Sequence, residues 1–418
     1  MAIPTISSTA TEERSTPSAP SVWRSPSFLI LLGTGAIMAF GNKIYELALP
    51  LILYEMTRSS VIMATMRGIE FLPNLLLAMF IGVLVDRVNK KRWSLSAILL
   101  QAIVLGILYG VIEFGQPEPY AFYIAGFLLM GLGYAYNNAR VAMVKHSLPE
   151  ELLTSANASY AFVTTLVGIL GPGLSGLILM LPNLHLALLI TSISFALAYA
   201  TLLFIPNHES RTSGAQGQGF RTELRAGWAE LLRNRPLLRM SVIVIFLNSA
   251  SGMIDTTIIF YSKDVLKLNN LELGIVLSAA GAGGLAGSLL IGRLRRCFSV
   301  GRLISLSALM TALVQLLFYI ADKACVLALG LLLFGLFETI SSVSIWTFRQ
   351  ETTPYSLIGR ISGITGSIFK LGMPLAIAFS GWVTEHEGAQ LVFLMGFFLN
   401  MSVFAACLTG PLWKAARA

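Results

Sequence analysis

Polar and apolar positions alternate along this chain in long blocks. Runs of roughly 20 apolar residues, enough for a helix to cross the hydrocarbon core of a bilayer, are separated by short polar or charged connections. Twelve such runs begin near Ser27, Val61, Trp93, Tyr120, Thr154, Leu184, Met240, Leu273, Leu303, Cys325, Ile361 and Ala389. The pattern predicts an all-α polytopic membrane protein with twelve transmembrane helices. Several runs contain Gly or Pro, which membrane helices tolerate when neighbouring helices satisfy or pack against the disturbed backbone.

Composition supports this pattern. The 418 residues are 55% hydrophobic and 12% charged, with a mean hydropathy of +0.75, too apolar for a soluble domain. The net charge of +8 would suit nucleic acid, but the placement of the charges argues against it. Of the 29 Lys and Arg, only Arg58, Lys263, Lys267 and Lys323 fall on the side opposite the N-terminus, and Lys43, Arg67 and Lys370 fall within spans. All the others lie on the N-terminal side, so the positive-inside rule predicts both termini in the cytoplasm of a cell with the protein in its inner (plasma) membrane. Cys297, Cys325 and Cys407 are scattered without metal-ligand spacing, which predicts no disulfide, no metal site and no cofactor. The dispersed histidines (His146, His185, His208, His386) and the lack of a phosphate-binding loop argue against an enzyme or an ATP-driven pump.

The expected organisation is a disordered cytoplasmic tail (1–26), a six-helix bundle (27–205), a cytoplasmic linker (206–239), a second six-helix bundle (240–410) and a short tail (411–418). In the linker, Leu224, Trp228, Leu231 and Leu232 recur at helical spacing beside Arg221, Arg225, Arg233 and Arg235. Such a helix would lie on an anionic membrane surface or stand solvated between the halves. The halves echo one another. GVLVDRVNKKR (Gly82 to Arg92) returns about 210 positions later as GRLRRCFSVGR (Gly292 to Arg302). Asn137 to Ser159 resembles Thr347 to Ile364 in an Arg at the end of a span, then a Pro, then a polar helix start, and Gly171-Pro172 matches Met373-Pro374. Duplicated halves are a common way for secondary transporters to build a midplane site between two bundles.

Gly82, Asp86, Arg87 and the basic run Lys90 to Arg92, joined to twelve spans and a half-chain repeat, resemble the signature of the major facilitator superfamily. The resemblance covers residues 27 to 410. It implies that Gly82, Asp86, Arg87 and Arg92 form a cytoplasmic gate, although the basic run could also serve only to set topology. More narrowly, Ala48 to Ser60, the SLPEELLTSANA run, the ELRAGW to RNRPLLR linker and RQETTPYSLIGRIS resemble the enterobactin-exporter-like efflux branch, which includes siderophore and drug exporters. Gly168 and GPGLSG (Gly171, Pro172 and Gly176 among them) resemble the fifth-span antiporter signature of exporters, with Ser175-Gly176 where that pattern pairs two glycines.

Seven ionisable residues lie within spans: Lys43, Glu46, Arg67, Glu70, Asp255, Glu338 and Lys370. A charge at a helix centre costs about 2.5–3.5 kcal/mol to insert, so such residues face the bundle interior and pair or act. Lys43/Glu46 and Arg67/Glu70 are i,i+3 pairs at similar depth on a helical hairpin, which predicts a four-member salt-bridge network, either purely structural or opening to bind substrate or a proton. Asp255 follows Glu46 by nearly the repeat offset, and the resemblance implies that their helices face each other across the cavity. Tyr45, Asn42, Asn248 and Tyr261 could add hydrogen bonds, with Glu338 and Trp346 on the tenth span. Lys370, with Lys43 and Arg67, would suit a carboxylate-bearing substrate.

The resulting expectation is a monomeric, proton-driven exporter that works by alternating access on a siderophore or similar small metabolite. Multidrug efflux of lipophilic cations is the alternative within the class. A non-transporting membrane scaffold or sensor is the alternative outside it.

Overall fold

The computed structural model describes residues 22–77, 88–115, 117–206, 220–353 and 358–409. Apart from a short 3-10 turn at Val22–Arg24 and a π-turn at Tyr261–Val265, their secondary structure is α-helical. The first half comprises α1 (Pro26–Thr57), α2 (Ser60–Leu76), α3 (Lys90–Phe114), α4 (Pro119–Ser147), α5 (Glu150–Ile178) and α6 (Leu186–Leu203). A short helix, α7 (Phe220–Arg233), precedes the second half: α8 (Arg235–Phe260), α9 (Asn270–Cys297), α10 (Val300–Tyr319), α11 (Ala324–Thr352), α12 (Ile358–Ile368), α13 (Met373–Glu387) and α14 (Ala389–Thr409).

The boundaries follow from local chemistry. Ser25 accepts the Phe28 amide at 3.3 Å, and Pro26 opens α1 where its missing N–H costs nothing. Arg58 ends α1 in the left-handed region (φ 53°), and Ser59 at once caps α2, so the hairpin turns in two residues. Asn89, Asn234 and Asn269 cap α3, α8 and α9, the last in a reciprocal box with Glu272. The α7 linker helix ends at this Asn234 cap, and its Leu231 is buried in one cluster with Leu237, Met240, Ile361 and Ile364.

Ten spans among the described residues are long and apolar enough to cross a membrane, two fewer than the twelve runs in the sequence. This count of ten treats α12 and α13 as one interrupted segment (Ile361–Glu387). The other two are α2, of which 17 residues carrying Arg67 and Glu70 are described, and α4, whose apolar run is diluted by tyrosines and glycines and ends at Asn137. Both nevertheless pack inside the bundle, α2 against α4 and α13, and α4 against α3 and α1.

Helix neighbours repeat between the halves. Within the first, α3 packs on α4 and α6, α1 on α5 and α6, and α2 on α4. Within the second, α10 packs on α11 and α14, α8 on α13 and α14, and α9 on α11. The halves join through α5 against α9 and α2 against α13, which are also counterparts under the repeat.

Both joints are made of small residues. A Cβ on Gly176 would lie 3.1 Å from the Gly274 Cα, and the Gly173 amide donates to Ser278 Oγ at 3.0 Å. Across the other joint a Cβ on Gly68 would lie 3.0 Å from the Pro374 carbonyl oxygen, and Ser60 Oγ donates to the Gly381 carbonyl at 3.0 Å. Small residues let backbones approach closely, which matters in lipid because apolar burial gives helices little reason to associate there.

These joints run from mid-bundle to the end holding the α1–α2 turn. There Tyr54 donates to Asp264 at 3.2 Å, Lys263 lies 3.7 Å from Glu55, and Asn270 donates to the Leu179 carbonyl at 2.7 Å. At the opposite end, where α1 begins and α14 finishes, a cavity of about 1030 Å³ opens between the halves, lined by Phe28, Leu31, Arg140, Tyr160 and Trp346 among others. Among the described residues the joints between the halves therefore lie toward one end, and the larger cavity lies at the other.

Candidate functional site

The helical phase of α1 puts Lys43 and Glu46 on one face, one turn apart, and the phase of α2 does the same for Arg67 and Glu70. Lys43 Nζ meets Glu46 Oε2 at 2.7 Å, and Arg67 meets Glu70 Oε2 at 2.8 Å. The link between the pairs differs from the expected four-member carboxylate network. Arg67 donates to the backbone carbonyl of Glu46 at 3.2 Å and not to its side chain. Pro50 explains the availability of that carbonyl, because a proline at i+4 has no N–H to occupy it. The two pairs also differ in exposure: the Glu70 side chain is 0% exposed, whereas Lys43 keeps 43% of its side-chain surface accessible.

Lys43, Glu46 and Arg67 line a second cavity, of about 260 Å³, together with Asp255 of α8 and with Gly168 and Pro172 of α5. Gly171 sits behind it, where a Cβ would press on the Lys43 stem at 3.1 Å. Asp255 stands in the field of both Lys43 and Arg67 and is accessible from the cavity. Glu338 of α11 is close enough to Asp255 for their charges to interact, with Ser251 nearby. The structure thus gathers an alternating set of cations and acids from both halves around one small cavity. A charged group entering it would meet a partner of either sign, and movement of one half against the other would change the distances from Asp255 to Lys43, Glu46 and Arg67.

Other expected residues lie elsewhere. Trp346 is 57% exposed and lines the larger cavity. Lys370 falls in the break between α12 and α13 and is not among the residues lining either cavity. Tyr45 is buried edge-on against Phe195, Tyr261 donates to the Ala321 carbonyl at 2.5 Å, and Asn248 donates to the Phe369 carbonyl at 2.9 Å, so these three serve packing and backbone. Gly82, Asp86 and Arg87 lie outside the described residues. Arg92 is exposed in the first turn of α3, and its neighbour Lys91 caps the end of α6 through the Ile205 and Leu203 carbonyls at 2.5 and 2.9 Å. The 1–21 part of the expected N-terminal tail also lies outside the described residues.

A family model described as the Major Facilitator Superfamily matches residues 31–377. The chain belongs to the major facilitator superfamily. Macrolide efflux protein A of Streptococcus pyogenes is 23% identical over 399 residues, covering 92% of this chain and 96% of that protein. The multidrug efflux pump Tap of Mycolicibacterium fortuitum is 27% identical over 387 residues, covering 89% and 92%. Among solved structures, the nucleoside transporter NupG superposes with a TM-score of 0.77 at 14% identity, covering 93% of this chain and 100% of that one. The POT family transporter PepTSo superposes with a TM-score of 0.70 at 13% identity, covering 93% and 98%. Identities this low show that this superfamily member shares the fold of those two transporters and nothing about cargo. As a member of a transporter superfamily, the protein is not an enzyme.

Two features of this superfamily member were not singled out from sequence: Ser278, which takes the Gly173 amide across the joint, and the stack of Arg140 on Tyr160. Ser278 had no signal beyond its place in a small-residue run. Arg140 had one, since the repeat already aligned it with Arg349, but the sequence did not show that both would be buried.

Proposed function

We propose that this protein exports small amphipathic molecules from the bacterial cytoplasm across the plasma membrane by alternating access, driven by protons. The observation that carries the reading is the cavity between the halves, where Lys43, Glu46, Arg67 and Asp255 converge with Glu338 one step beyond. Buried charges are costly in lipid and persist where they line a pathway. Asp255 and Glu338 are the groups best placed to carry a proton, because Asp255 lines the cavity shared with the first half and Glu338 interacts with Asp255 from behind. With both termini in the cytoplasm, as the distribution of Lys and Arg supports, the larger cavity faces the cytoplasm and the protein stands ready to load cargo. The efflux relatives support export as the direction of transport.

Two cargo classes are favoured by different observations. The names of the relatives favour drug-like molecules, which Glu46, Asp255 and Glu338 would hold as counter-charges. The cations Lys43 and Arg67 in the smaller cavity favour an anionic chelator such as a siderophore. The test is export by a deletion strain and its complemented parent. Drug accumulation that rises on deletion, and returns with a protonophore in the complemented strain, supports proton-driven drug efflux. Siderophore held inside the deletion strain supports the second cargo. Unchanged levels of both would sink the export reading.

A further inference from the structure

Two arginines near the open end are out of keeping with a membrane interior. Arg140 of α4 and Arg349 of α11 are 7% and 4% exposed, and among the described residues neither has a carboxylate partner. Each is instead stacked on an aromatic ring: the Arg140 guanidinium lies 3.4 Å from the centroid of Tyr160, and that of Arg349 lies 4.1 Å from the centroid of Trp346. Their remaining contacts are few. Arg140 reaches Asn137 Oδ1 at 3.4 Å, Arg349 reaches Thr365 Oγ1 at 3.2 Å, and the Nε of both is buried without a partner. Stacking on a ring recovers only part of what a guanidinium loses on leaving water, and buried charges are ordinarily paired.

Of the two, Arg140 lines the larger cavity directly, and Trp346 lines the same cavity from the other half. The ring under Arg140 holds the guanidinium plane in place at the cavity wall, where a charged N–H donor can meet a carboxylate. Trp346, with 57% of its surface exposed and Arg349 against its ring, offers a broad apolar face. We infer that Arg140 and Trp346 form a binding site at the wide end of the cavity for an organic anion, taking its carboxylate on Arg140 and its apolar body on Trp346. This rests on the transport reading only for the purpose of the site. The site is separate from the smaller cavity, whose cations are already paired with Glu46 and Glu70.

The test is calorimetric binding to the purified full-length protein, with 1-naphthoate as the anion and 1-naphthamide as its neutral counterpart. The wild type is expected to bind the acid about tenfold more tightly than the amide, the discrimination a charge-assisted hydrogen bond provides. Arg140→Gln removes that preference, Arg140→Lys keeps part of it, and Trp346→Ala weakens acid and amide together. The wild-type comparison stands even if a variant does not fold. Equal binding of acid and amide by the wild type overturns the inference, as does a preference that survives Arg140→Gln or disappears in Lys43→Ala. Because no transport is measured, loss of efflux in cells bears on the export reading alone, and loss of acid preference on this site alone.

Discussion

Glu385, near the end of α13, accepts the backbone amide of Val61 at 3.0 Å and so caps the first turn of α2, a helix of the other half. The same carboxylate oxygen takes the hydroxyls of Ser59 at 2.6 Å and Ser60 at 3.3 Å. A carboxylate there satisfies donors that a helix start leaves open and meets the positive end of the helix dipole. An N-cap that crosses from one half to the other can exist only while that end is closed.

Glu385→Ala is therefore expected to favour opening at this end. Losing a cap costs about 1 kcal/mol, which shifts the closed-to-open ratio roughly fivefold. Spin labels at Arg58 and Glu387, with the native cysteines replaced, should show a larger long-distance population in the variant. Identical distance distributions in variant and parent would show that the cap does not hold the closure.

The two i,i+3 pairs should respond differently to loss of their cations. Arg67→Ala leaves Glu70 fully buried and unpaired, a situation that costs about 3–5 kcal/mol. Lys43→Ala leaves Glu46 facing a cavity, and a pair that accessible is worth about 0–1 kcal/mol. Thermal unfolding in detergent should rank Arg67→Ala well below Lys43→Ala, and equal losses would contradict the assignment of one pair to structure and the other to the cavity.

Asp255→Asn is expected to uncouple transport from protons while leaving the pathway intact. In proteoliposomes, efflux driven by a pH gradient should fall to the level seen with a protonophore, while exchange of cargo across the membrane without a gradient continues. Gradient-driven efflux at the parental rate would remove Asp255 as the carrier and leave Glu338.

The α5–α9 joint makes a steric prediction. A Cβ on Gly281 would come within 2.7 Å of the Ile169 Cα, so Gly281→Ala must push two backbones apart. Overpacking of this kind costs about 1–3 kcal/mol. Gly292, where such a Cβ meets nothing within 4 Å among the described residues, is the control and should accept Ala without loss. The same spectroscopic distances and unfolding temperatures check both, and equal tolerance would mean that the joint is looser than its geometry.

Much of this arrangement was legible in the sequence because one variable dominates in lipid. Apolar run length marks the helices, and the rarity of intramembrane charge marks Lys43, Arg67 and Asp255. The repeat offset from Glu46 led to Asp255, which lines the same cavity from the other half. What escaped was decided by helix phase and backbone. Arg67 found the Glu46 carbonyl because Pro50 left it vacant, Trp346 pointed to the wider cavity, and Tyr261 was taken by Ala321 O. The gate residues Gly82, Asp86 and Arg87 keep their assignment as a proposal, to be tested by substituting Asp86.

The joints between the halves consist largely of glycine and serine backbone, whereas the two cavities are lined by distinctive side chains. In the proposed transport cycle, shape change and chemical recognition would therefore draw on different sets of residues. A lineage could then exchange cavity side chains, and so its cargo, while inheriting the joints untouched, which would give a single frame a ready route to new cargoes.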